Sequence, residues 1–190
     1  MILCIAIPTI SERAEQLTRL RKEVDRQRKW LRDTWDFKHV RVITDDTPRG
    51  VITVGEKRQK LYEKSDCEYT MMLDDDDYLA PNALEKIIQA IEKKPDVVTF
   101  QQLCLIPDVY SICEIKVGNQ IEPHGFKKFK RPPFHACPMK TSLARKEPFE
   151  FTNFGEDLEW AQRMQKHLKT EIHIPGIIHV YDRLTKSYTQ

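Results

Sequence analysis

One stretch constrains this chain more than any other: Tyr69-Thr70-Met71-Met72-Leu73 runs straight into Asp74-Asp75-Asp76-Asp77. An apolar run of strand length ending in four carboxylates is costly, since two carboxylates about 5 Å apart at an effective dielectric of about 20 repel by about 3 kcal/mol. A fold that keeps them together at the mouth of a buried strand needs a cation or a dense hydrogen-bond network. If the strand continues through the acids, side chains alternate, so Asp74 and Asp76 share one face and Asp75 and Asp77 the other. Such a face suits a hard divalent ion such as Mg²⁺ or Mn²⁺. A solvated acidic turn fits the same letters.

The rest of the chain supplies the scaffold for such a strand end. At 190 residues, 40% hydrophobic and 32% charged, it has the size and composition of one globular domain. A net charge of +2 is too mild to require a polyanionic partner. The apolar start Met1–Ile7 meets Pro8 at once, which makes it a first buried strand rather than a spanning helix or leader. No amphipathic anchor is visible, so stable membrane insertion is not expected. Five cysteines without C-x-x-C spacing point away from a disulfide framework or zinc site and toward a reducing cytoplasm.

Along the chain, residues 2–7 read as a strand, with Ser11 placed to cap a helix whose apolar stripe is Leu17, Leu20, Val24 and Leu31. A second strand over His39–Thr44 ends at Asp45-Asp46. A helix over Glu56–Lys64 leads into the acidic strand, and Pro81 suits the first turn of a helix buried through Leu84, Ile87, Ile88 and Ile91. Alternating strand and helix predict a layered, mostly parallel Rossmann-like α/β sheet, with Pro8-Thr9, Asp45-Asp46 and Asp74–Asp77 at the carboxyl ends of strands, where ligands bind. Residues 97–106 and 109–117 read as a hairpin. Residues 118–138 form a long loop or lid, a helix resumes near Gly155, and residues 172–180 close with one or two strands.

In this order the motifs resemble the inverting nucleotide-sugar glycosyltransferases of family 2, which have the GT-A fold. The resemblance rests on Ile7-Pro8-Thr9, Thr44-Asp45-Asp46-Thr47, Gly55-Glu56-Lys57-Arg58-Gln59 (with Gln59 where Asn is usual), the D-x-D-like Leu73–Leu79, and Phe154-Gly155-Glu156-Asp157. It implies a compact GT-A-like single domain, with a nucleotide-sugar-binding half over residues 1–80 and a smaller antiparallel acceptor and catalytic half over residues 95–190. It also implies a Mn²⁺ or Mg²⁺ cofactor held by Asp76 and Asp74, and donor contacts from Pro8, Thr9, Asp45, Asp46, Arg58, Asp74, Asp75 and Arg183. Asp157, with Glu156 beside it, is the implied general base, and His179 a further metal ligand. UDP is the expected nucleotide.

Most of these residues also have plainer readings. Asp45-Asp46 fits an ordinary turn, Arg58 a surface arginine, and Glu156-Asp157 the acids of a helix N-terminus. His179 fits a core histidine, and Arg183 and Lys186 terminal surface charges. On the acceptor side His135 and Trp160 fit sugar or base contacts, and Trp160 equally a core anchor. The segment Phe126–Arg131 interleaves aromatics with positive charge, as an exposed strand or an anion-binding strip would. A glycan is the expected acceptor, with a hydroxylated DNA base second. A metal-dependent nucleotidyltransferase and a non-catalytic module binding a nucleotide or polyanion remain as alternatives. Oligomeric state is not readable.

Overall fold

The structure, a computed structural model, describes residues 1–37, 39–107, 109–123 and 127–182. Strand β1 (Leu3–Pro8) is buried along its whole length, as a strand covered on both faces must be. It pairs in parallel with β2 (Val40–Asp45) on one side and β3 (Tyr69–Met72) on the other. Helix α1 (Ala14–Trp35) makes the first crossover and α2 (Val54–Lys64) the second. Because the chain steps from β1 to β2 and then back across β1 to β3, right-handed crossovers put these helices on opposite faces. Accordingly α1 packs with α3 (Ala83–Ile91), whereas α2 packs on β1 and β2 and meets α5 (Glu156–Met164).

The second half extends the same sheet. Short β4 (Tyr78–Leu79) follows the acids. Strand β5 (Val97–Ile106) forms the expected hairpin with β6 (Val109–Ile115), and β7 (Lys128–Arg131) runs parallel to β6. Short β8 (Met139–Lys140), leading into α4 (Thr141–Ala144), bridges β3 and β5 in antiparallel pairs. The order is therefore β2-β1-β3-β8-β5-β6-β7. The closing segment is one strand, β9 (Glu171–Asp182), parallel to β5 with register shifts near Phe100 and Gln101. Its far end pairs with β4, placing His179 opposite Leu79.

Three local expectations are corrected. Ser11 does not cap α1; it opens a single 3₁₀ turn, and its hydroxyl bonds Glu12 instead. Pro81 precedes α3, whose N-cap Asn82 is left-handed at φ 60°. The acids do not continue the strand, so the alternating-face arrangement does not form. Strand β3 stops at Met72, and Asp77 N donates to the Asp74 carbonyl in a tight turn while Asp74 N donates to Asp77 Oδ2. All five cysteines are buried and free. Among the described residues no helix is long and apolar enough to cross a membrane.

Candidate functional site

The turn Asp74–Asp77 buries three carboxylates in succession, with Asp75, Asp76 and Asp77 no more than 5% exposed. Cations and donors drawn from remote elements make this tolerable. Arg13, just before α1, places Nη1 2.9 Å from Asp75 Oδ1 and 3.2 Å from Asp76 Oδ2. The Thr9 hydroxyl, at the end of β1, donates to Asp75 Oδ2 at 2.8 Å. Burial pushes the Asp75 carboxyl above its usual range, and the bonds from Arg13 and Thr9 pull the other way. One turn along α1, Arg19 donates to the carbonyls of Asp76 and Asp77 and to the Tyr78 hydroxyl, with its guanidinium 3.7 Å from the Tyr78 ring centre. Two arginines at the start of α1 thus hold the turn by its side chains and its backbone.

Helix α2 supplies the second cationic group. The Thr53 hydroxyl accepts from Glu56 N in a T-x-x-E cap that starts this helix. Lys57 Nζ donates to the carbonyls of Thr9 and Thr47, at 2.5 and 2.7 Å, and ties the loops after β1 and β2 together. Next to it Arg58, 4% exposed, donates from Nη2 to Asp74 Oδ1 at 2.8 Å and from Nε to Glu156 Oε1 at 3.1 Å. Its Nη1 is buried without a hydrogen bond. Burial works to lower the Arg58 pKa, but Asp74 and Glu156 outweigh it and keep the guanidinium charged. Arg58 is therefore not a surface arginine; it joins the acidic turn to the Glu156-Asp157 motif.

That motif opens α5, where acids favour the helix dipole. Gly155 precedes it at φ 80°, a conformation that suits glycine. The loop leading in is pinned to α2: Gly55 N donates to the Thr152 carbonyl, and Val54 N to Asn153 Oδ1. A β-carbon on Gly55 would fall 1.8 Å from the Glu150 carbonyl oxygen, so only glycine permits this approach. Burial raises the Glu156 pKa, against the pull of Arg58. For half-buried Asp157 burial acts in the same direction, but the facing His135 ring, Arg131 and Arg58 outweigh it and hold its carboxyl below the usual range. Arg131, on β7, reaches Asp157 Oδ2 at 3.3 Å and stacks 4.2 Å from the Phe134 ring centre.

The remaining expected residues lie at separate places. Pro8 pairs with Asp45 at the β1–β2 end, Asp45 accepts from the Thr47 amide and hydroxyl, and Asp46 is exposed beside it. His135 lies at the end of β3, its carbonyl accepting from Met72 N, with Nδ1 4.0 Å from Asp157 Oδ2. Burial and the Arg58 charge push its imidazole pKa down to about 3, which leaves it neutral. His179 Nε2 stands 2.8 Å from Asp77 Oδ2, yet neither ring nitrogen has a hydrogen bond of acceptable alignment. Trp160 takes its core-anchor reading: it is fully buried, stacked on Phe149 and Tyr62, and its indole donates to the Glu147 carbonyl, which leaves no face for an acceptor. In the Phe126–Arg131 segment, Phe129 is buried on β7 and Phe126 lies outside the described residues, as do Arg183 and Lys186.

Among the described residues no three His, Cys, Asp or Glu side chains gather in a ready-made metal cage. A hard cation that shares its shell with substrate phosphates needs only one or two carboxylates, and Asp74 and Asp76, in one turn, match that donor set. Arg13, Arg19, Lys57 and Arg131 were not singled out from the sequence, because each finds its carboxylate or carbonyl across the fold. The only signal for Lys57 was its place beside Arg58.

The structure is similar to that of TarS 1–349 from S. aureus in complex with UDP-GlcNAc, with TM-score 0.65 and 13% identity, covering 98% of this chain and 60% of that one. It is also similar to the mannosyltransferase PcManGT from Pyrobaculum calidifontis in complex with GDP-Man and Mn²⁺, with TM-score 0.59 and 12% identity, covering 98% and 58%. The chain thus spans about 60% of the length of the first of these structures. No curated protein sequence matches it significantly. The profile described as "Glycosyl transferase family 2" matches residues 19–150, well over half of the chain, and the chain belongs to that family.

Proposed function

We propose that the protein is a metal-dependent glycosyltransferase that moves a sugar from a nucleoside-diphosphate sugar to an acceptor hydroxyl with inversion. The observation that carries this reading is the buried Arg58 bridge between Asp74 and Glu156, which brings the acidic turn and the downstream Glu-Asp pair into one site. Membership of the family and the nucleotide-sugar complexes of the similar structures support it. The nucleotide-sugar side is built over residues 1–80 and the acceptor and catalytic side over residues 95–190.

In this reading Pro8, Thr9, Asp45 and Asp46 line the nucleoside end, and Arg58 and Lys57 supply positive charge toward the diphosphate. Asp76 and Asp74 would hold Mn²⁺ or Mg²⁺, which when bound would supply Lewis-acid stabilisation of the departing diphosphate. The Asp157 carboxylate takes the proton of the acceptor hydroxyl. The hydroxyl oxygen bonds to the anomeric carbon from the face opposite the leaving group, and the nucleoside diphosphate departs with the electron pair of the broken C–O bond. A glycan hydroxyl is the acceptor this reading favours.

The test is to titrate UDP-, GDP- and dTDP-sugars with Mn²⁺ while following thermal unfolding and nucleoside-diphosphate release. A donor at about 100 times its Kd adds about 2.7 kcal/mol to stability, and chelating the metal abolishes both signals. Pyrophosphate release from a nucleoside triphosphate, with no response to any nucleotide sugar, overturns the reading.

A further inference from the structure

The proton that Asp157 removes creates a problem that the surroundings of this residue make visible. Once protonated, Asp157 carries an O–H that needs an acceptor. The groups facing it are Arg131 from β7, Arg58 from α2, Asp74 from the acidic turn, its own neighbour Glu156, and His135. The two arginines only donate, and Arg58 already occupies Asp74 Oδ1 and Glu156 Oε1. His135 differs. Its side chain is 5% exposed, and among the described residues Nδ1 has no hydrogen-bond partner although it faces Asp157 Oδ2 across 4.0 Å. The ring is fixed edge-on to Phe134 at a centroid distance of 5.0 Å, and its backbone is bonded to β3.

We propose that His135 is a positioning residue for the base: its Nδ1 accepts a hydrogen bond from Asp157 after that carboxylate has taken the acceptor proton. This deepens the preceding reading and rests on Asp157 as the base. A gap of 4.0 Å is too long for a hydrogen bond with the carboxylate ionised, so the carboxyl group must move about 1 Å toward Nδ1 once it is protonated. The bookkeeping is complete without a further reactant: the proton stays on Asp157, shared with Nδ1, until it leaves to solvent after product release. Burial beside Arg58 keeps the imidazole neutral, which is the state in which a ring nitrogen can accept.

The experiment follows hydrolysis of the best stabilising nucleotide sugar with Mn²⁺, water serving as acceptor, for wild type, His135→Leu and His135→Asn. Loss of one hydrogen bond in the protonated state predicts a fall in kcat of about tenfold for His135→Leu with donor KM unchanged. Activity returns in His135→Asn, whose side-chain carbonyl can accept in place of Nδ1. The acid limb of the kcat profile moves to lower pH in His135→Leu, because the protonated base has lost its support. An acid limb that moves up instead, or a kcat equal to wild type, overturns the proposal. Should His135→Leu fail to fold, ¹⁵N shifts of the wild-type imidazoles decide: His135 with Nδ1 bare at neutral pH supports it, and a proton on Nδ1 overturns it. A wild type that binds nucleotide sugars but is indifferent to Asp157→Asn sinks this inference alone, whereas one that binds none sinks the reading beneath it.

Discussion

On the proposed donor side nearly every acid is answered before any ligand arrives. Asp75 and Asp76 share Arg13, the backbone of the acidic turn is gripped by Arg19, and Asp74 takes Arg58. The proposed acceptor side is left less complete. Among the described residues His135 Nδ1 has no hydrogen-bond partner, and Phe151 and Phe154, on the loop before Asp157, are 60% and 87% exposed. The contrast separates two tasks. Repelling carboxylates must be held together in the resting protein, which requires internal cations, whereas a base and its surroundings must change partners during a turnover, which requires unused hydrogen-bonding capacity.

The largest effect expected on this contrast comes from Asp157→Asn, which keeps the shape but removes the base. Transfer should fall by about 10²–10⁴-fold while the donor dissociation constant stays put. Steady-state rates with a parallel donor titration check this, and an unchanged turnover removes Asp157 from the mechanism. On the donor side Arg58→Ala is expected to act first on the fold. It leaves buried Glu156, and the partly exposed Asp74, without their shared cation, at a cost of about 3–5 kcal/mol. Urea unfolding measures it, and a loss no larger than the roughly 0–1 kcal/mol of a surface pair would mean that the bridge is not structural.

The smallest effect concerns how α5 is anchored at its outer end. Glu147 receives Arg163, Lys166 and His167, and Lys166 and His167 above all push its pKa from 4.5 to about 2. A folded value below the unfolded one means that this contribution is fully present above pH 4.5 and disappears as the pH falls toward 2. Thermal midpoints of wild type and Glu147→Gln should therefore converge over that interval. A gap that stays constant with pH would assign the difference to packing instead.

The alternation of strands and helices up to the acids was legible because each element carries a local signature. Examples are the buried run of β1, the stripe of α1 and the apolar face of α3. The general location of the site was legible for the same reason, since strand ends are marked by abrupt changes from apolar to polar residues. The form of the acidic segment was not. Four aspartates suit an extended segment or a turn equally by spacing, and reciprocal bonds between Asp74 and Asp77 decide for the turn. Nor were the partners of the acids legible, because Arg13 and Arg131 reach Asp75, Asp76 and Asp157 over long stretches of chain. Trp160 shows the limit from the other direction: an aromatic on a helix reads alike as a sugar platform or a core plug until Phe149 and Tyr62 are seen stacked against it.

Gly55 carries a mechanical consequence. With the Glu150 oxygen seated where a side chain would otherwise begin, α2 and the segment entering α5 are geared together like meshed teeth, so neither slides along the other without disengaging. In the proposed reading, a pull on Arg58 from the phosphate end reaches the loop that carries Asp157, and recognition of the donor and readiness of the base become a single adjustment.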